Sequence, residues 1–295
     1  SLRSNDTEIV DVNIHHTMGW SLSAIESILE LSDRRGNFWV HDYFSLCPSF
    51  NLLRNGVEFC GAPVISSNAC TICRYSTLRA RQQARFLRFF NHNALRVIAP
   101  SSHALDLWQS KAPYMTSSSE LRPLAGLNWL DPQCLPDHHN QLRIGFIGPP
   151  IRAKGWDAWL RLLTAPEMEN LAYYHFSLVE GEPANYTRIQ TPLSPQMPSA
   201  ITDSLKETNI DAVFLWSMWP ETFSIALYEA LAAGCFIITN RSSGNIQDYL
   251  AKNPHHGAIL EDEAALHDFI RYGELARRIA EFRARGKPQA DLIWM

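Results

Sequence analysis

The stretch Trp216-Ser-Met-Trp-Pro-Glu-Thr-Phe-Ser-Ile-Ala-Leu-Tyr-Glu-Ala-Leu-Ala-Ala-Gly234 decides the fold: it reads as a strand end, a turn, and a helix stopped by glycine. The turn delivers a helix start near Phe223 to Ile225, where unpaired backbone N–H groups and the positive end of the helix dipole can hold a diphosphate, and the small Ser224 permits close approach. Glu221 stands before the first turn and Glu229 about one and a half turns inside it. Both carboxylates can therefore face the crevice at the carboxyl ends of the strands, where open α/β sheets bind ligands. A carboxylate accepts two hydrogen bonds from a vicinal diol, so Glu229 suits a ribose and Glu221 the hydroxyls of a sugar. The plainer alternative is that both acids only complement the helix dipole.

Outward from this stretch, short apolar strands alternate with helix-length segments, the pattern of a parallel sheet covered on both faces. Before it, strands are expected over Val10 to His15, Asn37 to His41 and Arg96 to Ala99, and helices over Ser23 to Leu31 and Leu78 to Phe90. Ser101 or Ser102 caps a further helix. Between Leu130 and Gln141 the run of Asp, Pro, His and Asn reads as an exposed linker, which divides the chain into domains 1–138 and 139–295. The alternation then restarts with strands over Leu142 to Ile147, Tyr173 to Val179, Ala212 to Trp216 and Cys235 to Thr239. A helix starts near Trp156, Glu229 lies in the helix before the last of these strands, and a loop with four prolines spans Gly181 to Ser199.

Length and composition agree with two domains: 295 residues, 46% apolar and 19% charged, describe a globular chain. A formal charge of −4 gives no overall reason to expect nucleic acid as a partner. No long apolar run and no signal-peptide pattern occurs, so a cytoplasmic protein is the expectation. There is also no dinucleotide fingerprint or Walker-type loop.

The segment Pro220-Glu221-Thr222-Phe223-Ser224 with Glu229-Ala230 and Ala233-Gly234 resembles the EX7E signature of retaining GT-B glycosyltransferases, particularly family 4. The resemblance implies two Rossmann-like domains facing a cleft, and a nucleotide-sugar donor (UDP-, GDP- or ADP-linked). It implies transfer, with retention, to a hydroxyl of a glycan, polysaccharide or lipid-linked acceptor. In that family the first Glu contacts the donor sugar, the second the ribose, and the amides between them the diphosphate. Those roles fall on Glu221, on Glu229, and on Thr222, Phe223, Ser224 and Ile225.

Leu142 to Gly155 is similar to the family's phosphate loop, with Gly148 ending a strand and Arg152 and Lys154 following. Lys154 matches the family's lysine on the phosphates. Pro149 stands where an Arg is common, which leaves Arg152 as a substitute. Apart from the resemblance, two cations in a turn are ordinarily just solvated. With amides and cations neutralising the leaving diphosphate, no catalytic metal is required.

Ile14-His15-His16-Thr17-Met18-Gly19 resembles the family's strand-end His segment, and His16 is the expected residue on the donor sugar, with Glu221 and Lys154 as its catalytic companions. Val40-His41-Asp42-Tyr43-Phe44 with Cys47-Pro48 is similar to a subset of these enzymes. The family's first Gly-rich loop has no counterpart, and Ser1 and Leu2 lack an initiator Met. The expectation is an incomplete first domain and weak turnover. The rival readings are a sugar-nucleotide epimerase of the same architecture and a non-catalytic donor-binding module of a longer protein.

Two further clusters stand apart. Cys47, Cys60, Cys70 and Cys73 share a loop-rich stretch ending in Cys-x-x-Cys, which fits structural zinc, free thiols or disulfides. Cys134 and Cys235 read as isolated structural residues. Arg81, Arg85 and Arg88 recur at helical spacing among Phe86, Leu87, Phe89 and Phe90, which suits either a solvated face or peripheral contact with an anionic membrane presenting a lipid-linked acceptor.

Overall fold

A computed structural model describes residues 11–131, 141–165, 171–192, 197–286 and 288–295. The chain forms two compact units, Ser1–Pro123 with Glu221–Phe223, and Leu124–Pro220 with Ser224–Met295. The domain boundary expected at 138/139, Val10 and Cys134 lie outside the described residues.

The first unit contains β1 (Asn13–Ile14), α1 (Leu22–Leu29), β2 (Arg35–Trp39), the hairpin strands β3 (Leu53–Arg54) and β4 (Glu58–Phe59), and α2 (Asn68–Thr71). It continues with α3 (Ser76–His92), β5 (Ala94–Ala99), α4 (Ser102–Lys111) and β6 (Ser118–Leu121). Its main sheet runs β1-β2-β5-β6, all parallel. The 17-residue helix α3 forms because no Gly or Pro interrupts its apolar spacing, and it buries Phe86, Phe89 and Phe90. Phe90 stacks on Tyr114 at 4.8 Å and meets Phe38 at 5.1 Å, which pins the helix to the sheet. Arg81, Arg85 and Arg88 remain exposed on the other side. Ser101 caps α4, its Oγ accepting from the Ala104 amide at 3.1 Å.

The second unit contains β7 (Ala125–Trp129), β8 (Leu142–Ile147), α5 (Trp156–Leu163), β9 (Leu171–Phe176), β10 (Thr187–Ile189), α6 (Ala200–Glu207) and β11 (Ala212–Leu215). After these come α7 (Ile225–Ala232), β12 (Phe236–Asn240), α8 (Asn245–Lys252), β13 (Gly257–Leu260), α9 (Glu263–Arg271), α10 (Glu274–Ala284) and β14 (Ala290–Trp294). The stretch expected to be a proline-rich loop thus contains a short edge strand, Thr187–Ile189, paired parallel to β9. Three residues are too few to show period-2 patterning against the surrounding prolines.

The six-stranded sheet of this unit runs β10-β9-β8-β11-β12-β13 and is parallel throughout. Strand alternation divides its core between two faces. Ala212 and Phe214 pack with Trp156, Trp159 and Leu162 of α5. Val213 and Leu215 pack with Leu227, Ala230 and Leu231 of α7. The order reverses between β8 and β11, so the loops leaving the carboxyl ends of these neighbours diverge to opposite faces and leave a crevice for ligand.

Candidate nucleotide-sugar site

The loop after β8 begins at Gly148, with φ +111°, and passes through a tight turn over Arg152–Lys154 to Gly155, with φ +88°. Only glycine suits Gly155, because a Cβ there would stand 2.3 Å from the Trp216 carbonyl oxygen. This close approach, together with the hydrogen bond from the Met218 amide to the Ala153 carbonyl at 2.9 Å, ties the β8 loop to the segment leaving β11. The buried imidazole of His175 lies 2.9 Å from the Gly148 carbonyl through Nε2, and burial holds its pKa down. Neutral His175 donates from Nε2 and so fixes the first turn of the loop. Arg152 reaches Asp157 at 3.6 Å.

The segment after β11 is anchored by polar groups from the end of β12 and the start of α8. Thr239 Oγ1 donates to the Leu215 carbonyl at 2.6 Å, and Asn240 Nδ2 donates to the Ser217 carbonyl at 3.0 Å. Asn245 Oδ1 accepts from the Ser224 amide at 2.9 Å. Ser224 is the N-cap of α7, and its Oγ accepts from the Leu227 amide at 3.4 Å. The Ser224 amide is therefore already committed, whereas the sequence reading had it available to the diphosphate. Neither the Ile225 nor the Ala226 amide has an acceptor among the described residues. Of the amides expected over Phe223 to Ile225, only that of Ile225 is in this pair, because an Asn side chain from α8 takes the Ser224 amide.

Helix α7 ends in a paired cap: the Gly234 amide reaches the Leu231 carbonyl and the Cys235 amide the Ala230 carbonyl, both at 2.9 Å, with Gly234 at φ +74°. Glu229, on the inner part of this helix, is 5% exposed. No hydrogen bond or ion pair reaches its carboxylate among the described residues. Burial pushes its carboxyl up to about 7. Such a carboxylate has acceptor capacity left for a ligand, and a vicinal diol brings two donors.

In the first unit, the other predicted residues gather at the ends of β1 and β2. His16 Nδ1 lies 3.1 Å from Asp42 Oδ2, with the imidazole 44% exposed and the carboxyl 16%. Asp42 also accepts from the Phe44 amide at 2.8 Å. His15 does not share this position: its Nδ1 lies 3.0 Å from His41 Nε2, and its ring stacks on Trp39 at 5.1 Å. Burial, with His15 and His16 alongside, lowers His41 to about 4, so it stays neutral. The residues Glu221–Phe223 group with this unit. Thr222 Oγ1 donates to the His41 carbonyl at 2.7 Å, and Ser101 Oγ to the Thr222 carbonyl at 2.6 Å. Glu221 is 4% exposed.

Sequence reasoning passed over Asp42 as a partner of His16, and Thr239, Asn240 and Asn245 as supports of the turn. The available signal was Thr239 to Asn245, a polar Ser- and Asn-rich run with Gly244 directly after an apolar strand.

The four clustered cysteines line one small cavity with Arg79. They do not form a metal cage: among the described residues no group of three or more His, Cys, Asp or Glu could hold a metal ion. Arg79, 4% exposed, intrudes among them, donating to Cys70 Sγ at 3.1 Å and to the Leu46 carbonyl at 3.2 Å. Burial pushes the Cys47 thiol up to about 11. All five described cysteines are free thiols. Among the described residues, no helix is long and apolar enough to cross a membrane.

No family model and no curated protein sequence matches the chain. Solved structures do match across most of its length. HepE from Anabaena, in complex with UDP and glucose, superposes with a TM-score of 0.61 at 14% identity, over 94% of this chain and 72% of that one. WaaG, a glycosyltransferase involved in lipopolysaccharide biosynthesis, gives 0.57 at 13% identity over 90% and 76%. Sucrose-phosphate synthase from Thermosynechococcus elongatus gives 0.57 at 12% identity over 94% and 68%. At such identities the likeness is one of fold: the chain has the α/β architecture of two Rossmann-like domains found in GT-B glycosyltransferases.

Proposed function

We propose that this chain is a glycosyltransferase that takes a sugar from a nucleoside diphosphate and passes it, with retention of anomeric configuration, to a hydroxyl acceptor, as family 4 enzymes do. The observation that carries the reading is Glu229: a carboxylate 5% exposed, without a partner among the described residues, inside a helix whose first two amides lack acceptors. That helix starts beside the reversal point of the second unit's sheet. The fold neighbours support the donor class, since HepE is solved with UDP-glucose, with UDP and glucose, and with UDP.

In this reading Glu229 accepts a hydrogen bond from each of the two ribose hydroxyls. The Ile225 and Ala226 amides, with Lys154 and Arg152, meet the diphosphate and stabilise the negative charge that grows on it as the glycosidic bond breaks. Thr222, Phe223 and Ser224 form the turn carrying those amides, and Gly148 lets the phosphate loop approach. Glu221 and His16 hold the sugar, and Asp42, which meets His16 Nδ1, fixes the orientation of the imidazole.

The test is a panel of UDP-, GDP- and ADP-sugars. One base is expected to raise the melting temperature, and Lys154→Ala is expected to lower turnover about 100-fold, the effect of losing one charge-stabilising group. If no sugar nucleotide stabilises the chain, the reading fails. An epimerised sugar nucleotide formed without acceptor would replace it with the epimerase.

A further inference from the structure

Within the first unit, a groove of about 910 Å³ runs between the 17–26 segment and α3. Its size falls in the range of ligand sites, which span roughly 300–1,000 Å³. Arg81, Arg85 and Arg88 line it, following one another at i, i+4 and i+7 on α3. Residues three or four apart on a helix have Cβ atoms about 5–6 Å apart.

Several arginines elsewhere in the chain have acidic partners, as Arg34 has Glu30, Arg96 and Arg122 share Glu120, and Arg161 has Glu263. The three groove arginines have none among the described residues. Like charges at these spacings repel one another along a helix, and an anion lying across them would relieve that repulsion. One acid, Glu26, also lines the groove, and it bonds to none of the three.

Two observations favour a saccharide over a lipid surface. Trp20, 68% exposed, lines the groove and offers an aromatic face for a sugar ring, and Gln82, whose Nε2 donates to the Phe44 carbonyl, has its Oε1 left to accept from a hydroxyl. The aromatic residues of α3 that could enter a bilayer, Phe86, Phe89 and Phe90, are each at most 2% exposed, turned into the core. Thr17 lines the groove directly after His16 in the chain, so an occupant would lie beside the residue expected to act on the donor sugar.

We propose that this groove is the acceptor subsite and that its occupant is a saccharide carrying carboxylate or phosphate groups, matched to Arg81, Arg85 and Arg88. The assignment rests on the transferase reading and adds the class of acceptor to it.

Calorimetric titration of the full chain with trigalacturonate and with mannose 6-phosphate tests it, with galactotriose as the neutral control. At least one charged saccharide should bind at least about tenfold more tightly than galactotriose, and added salt should weaken it. Replacing all three arginines by Gln should remove that preference, and Trp20→Ala should weaken binding of charged and neutral saccharides alike. Stabilisation by nucleoside diphosphate should persist in both variants, so loss of the acceptor proposal is read separately from loss of the donor proposal. Equal binding of charged and neutral saccharides, binding of neither anion, or arginine-dependent binding to phosphatidylglycerol vesicles that the saccharides do not compete would each overturn it.

Discussion

Burial pushes the Glu229 carboxyl up to about 7 from the usual value near 4.5, so the folded chain holds this proton longer than the unfolded chain does as pH rises. Stability contributed by the protonated acid is present below about 4.5 and is lost through the window up to about 7, after which the effect is level. Glu229→Gln keeps the shape and removes the charge. The ligand-free variant is expected to be more stable than the parent above neutral pH, by up to about 3 kcal/mol, and equal to it in acid. Melting temperatures of both proteins across pH check this, and parallel curves would refute it. Gly155 is a second residue with a sharp expectation. Gly155→Ala combines φ +88° with a Cβ 2.3 Å from the Trp216 carbonyl, so the β8 loop must shift. Chemical denaturation should show a loss of about 2 kcal/mol or more.

At the scale of elements, α7 is where most of the proposed donor site is set. Its start near Phe223 to Ile225, its glycine stop and the place of Glu229 inside it follow from the sequence, because Gly ends helices and a helix advances regularly, whereas the capping role of Ser224, read there only as a small residue, comes from the structure. What could not be read was the competition for the Ser224 amide. The competing Asn245 lies 21 residues further on and meets Ser224 only once β12 and α8 have folded. Asn245→Ala is expected to leave α7 in place but loosen the turn, costing about 1 kcal/mol and weakening nucleotide binding more than it weakens the fold. Denaturation and titration of one variant separate the two. Similarly, Leu142–Ile147 and the start at Trp156 are found where long apolar periodicity placed them. The edge strand β10 and the first-unit strand β6 (Ser118–Leu121) carry too few apolar residues to announce themselves.

At the scale of the whole molecule, alternating strand and helix patterns told of two parallel sheets, and the strand order came from the fold alone. β7 and β14 were not anticipated. They pair antiparallel from Ala125↔Trp294 to Trp129↔Ala290, joining the start of the second unit to the chain's last residues. Neither strand alternates cleanly, and antiparallel partners so far apart in sequence leave no local signal. Deleting residues 290–295 should therefore unpair β7 and lower the melting temperature of the chain, whereas an unchanged melting curve would show that the ladder contributes nothing. The division into domains 1–138 and 139–295 stays a proposal, as residues 132–140 of the expected linker lie outside the described residues. The central claim concerns the second unit: a diphosphate on the free amides of α7 and a ribose on Glu229. Titrating UDP, GDP and ADP into the parent and the Glu229→Gln variant at about pH 8, where the acid is ionised, tests it most directly. The account predicts that one of the three binds the parent and binds the variant about 10- to 100-fold more weakly, the effect of a lost charge-assisted hydrogen bond. Equal affinity in the two proteins, or no binding to either, would contradict it.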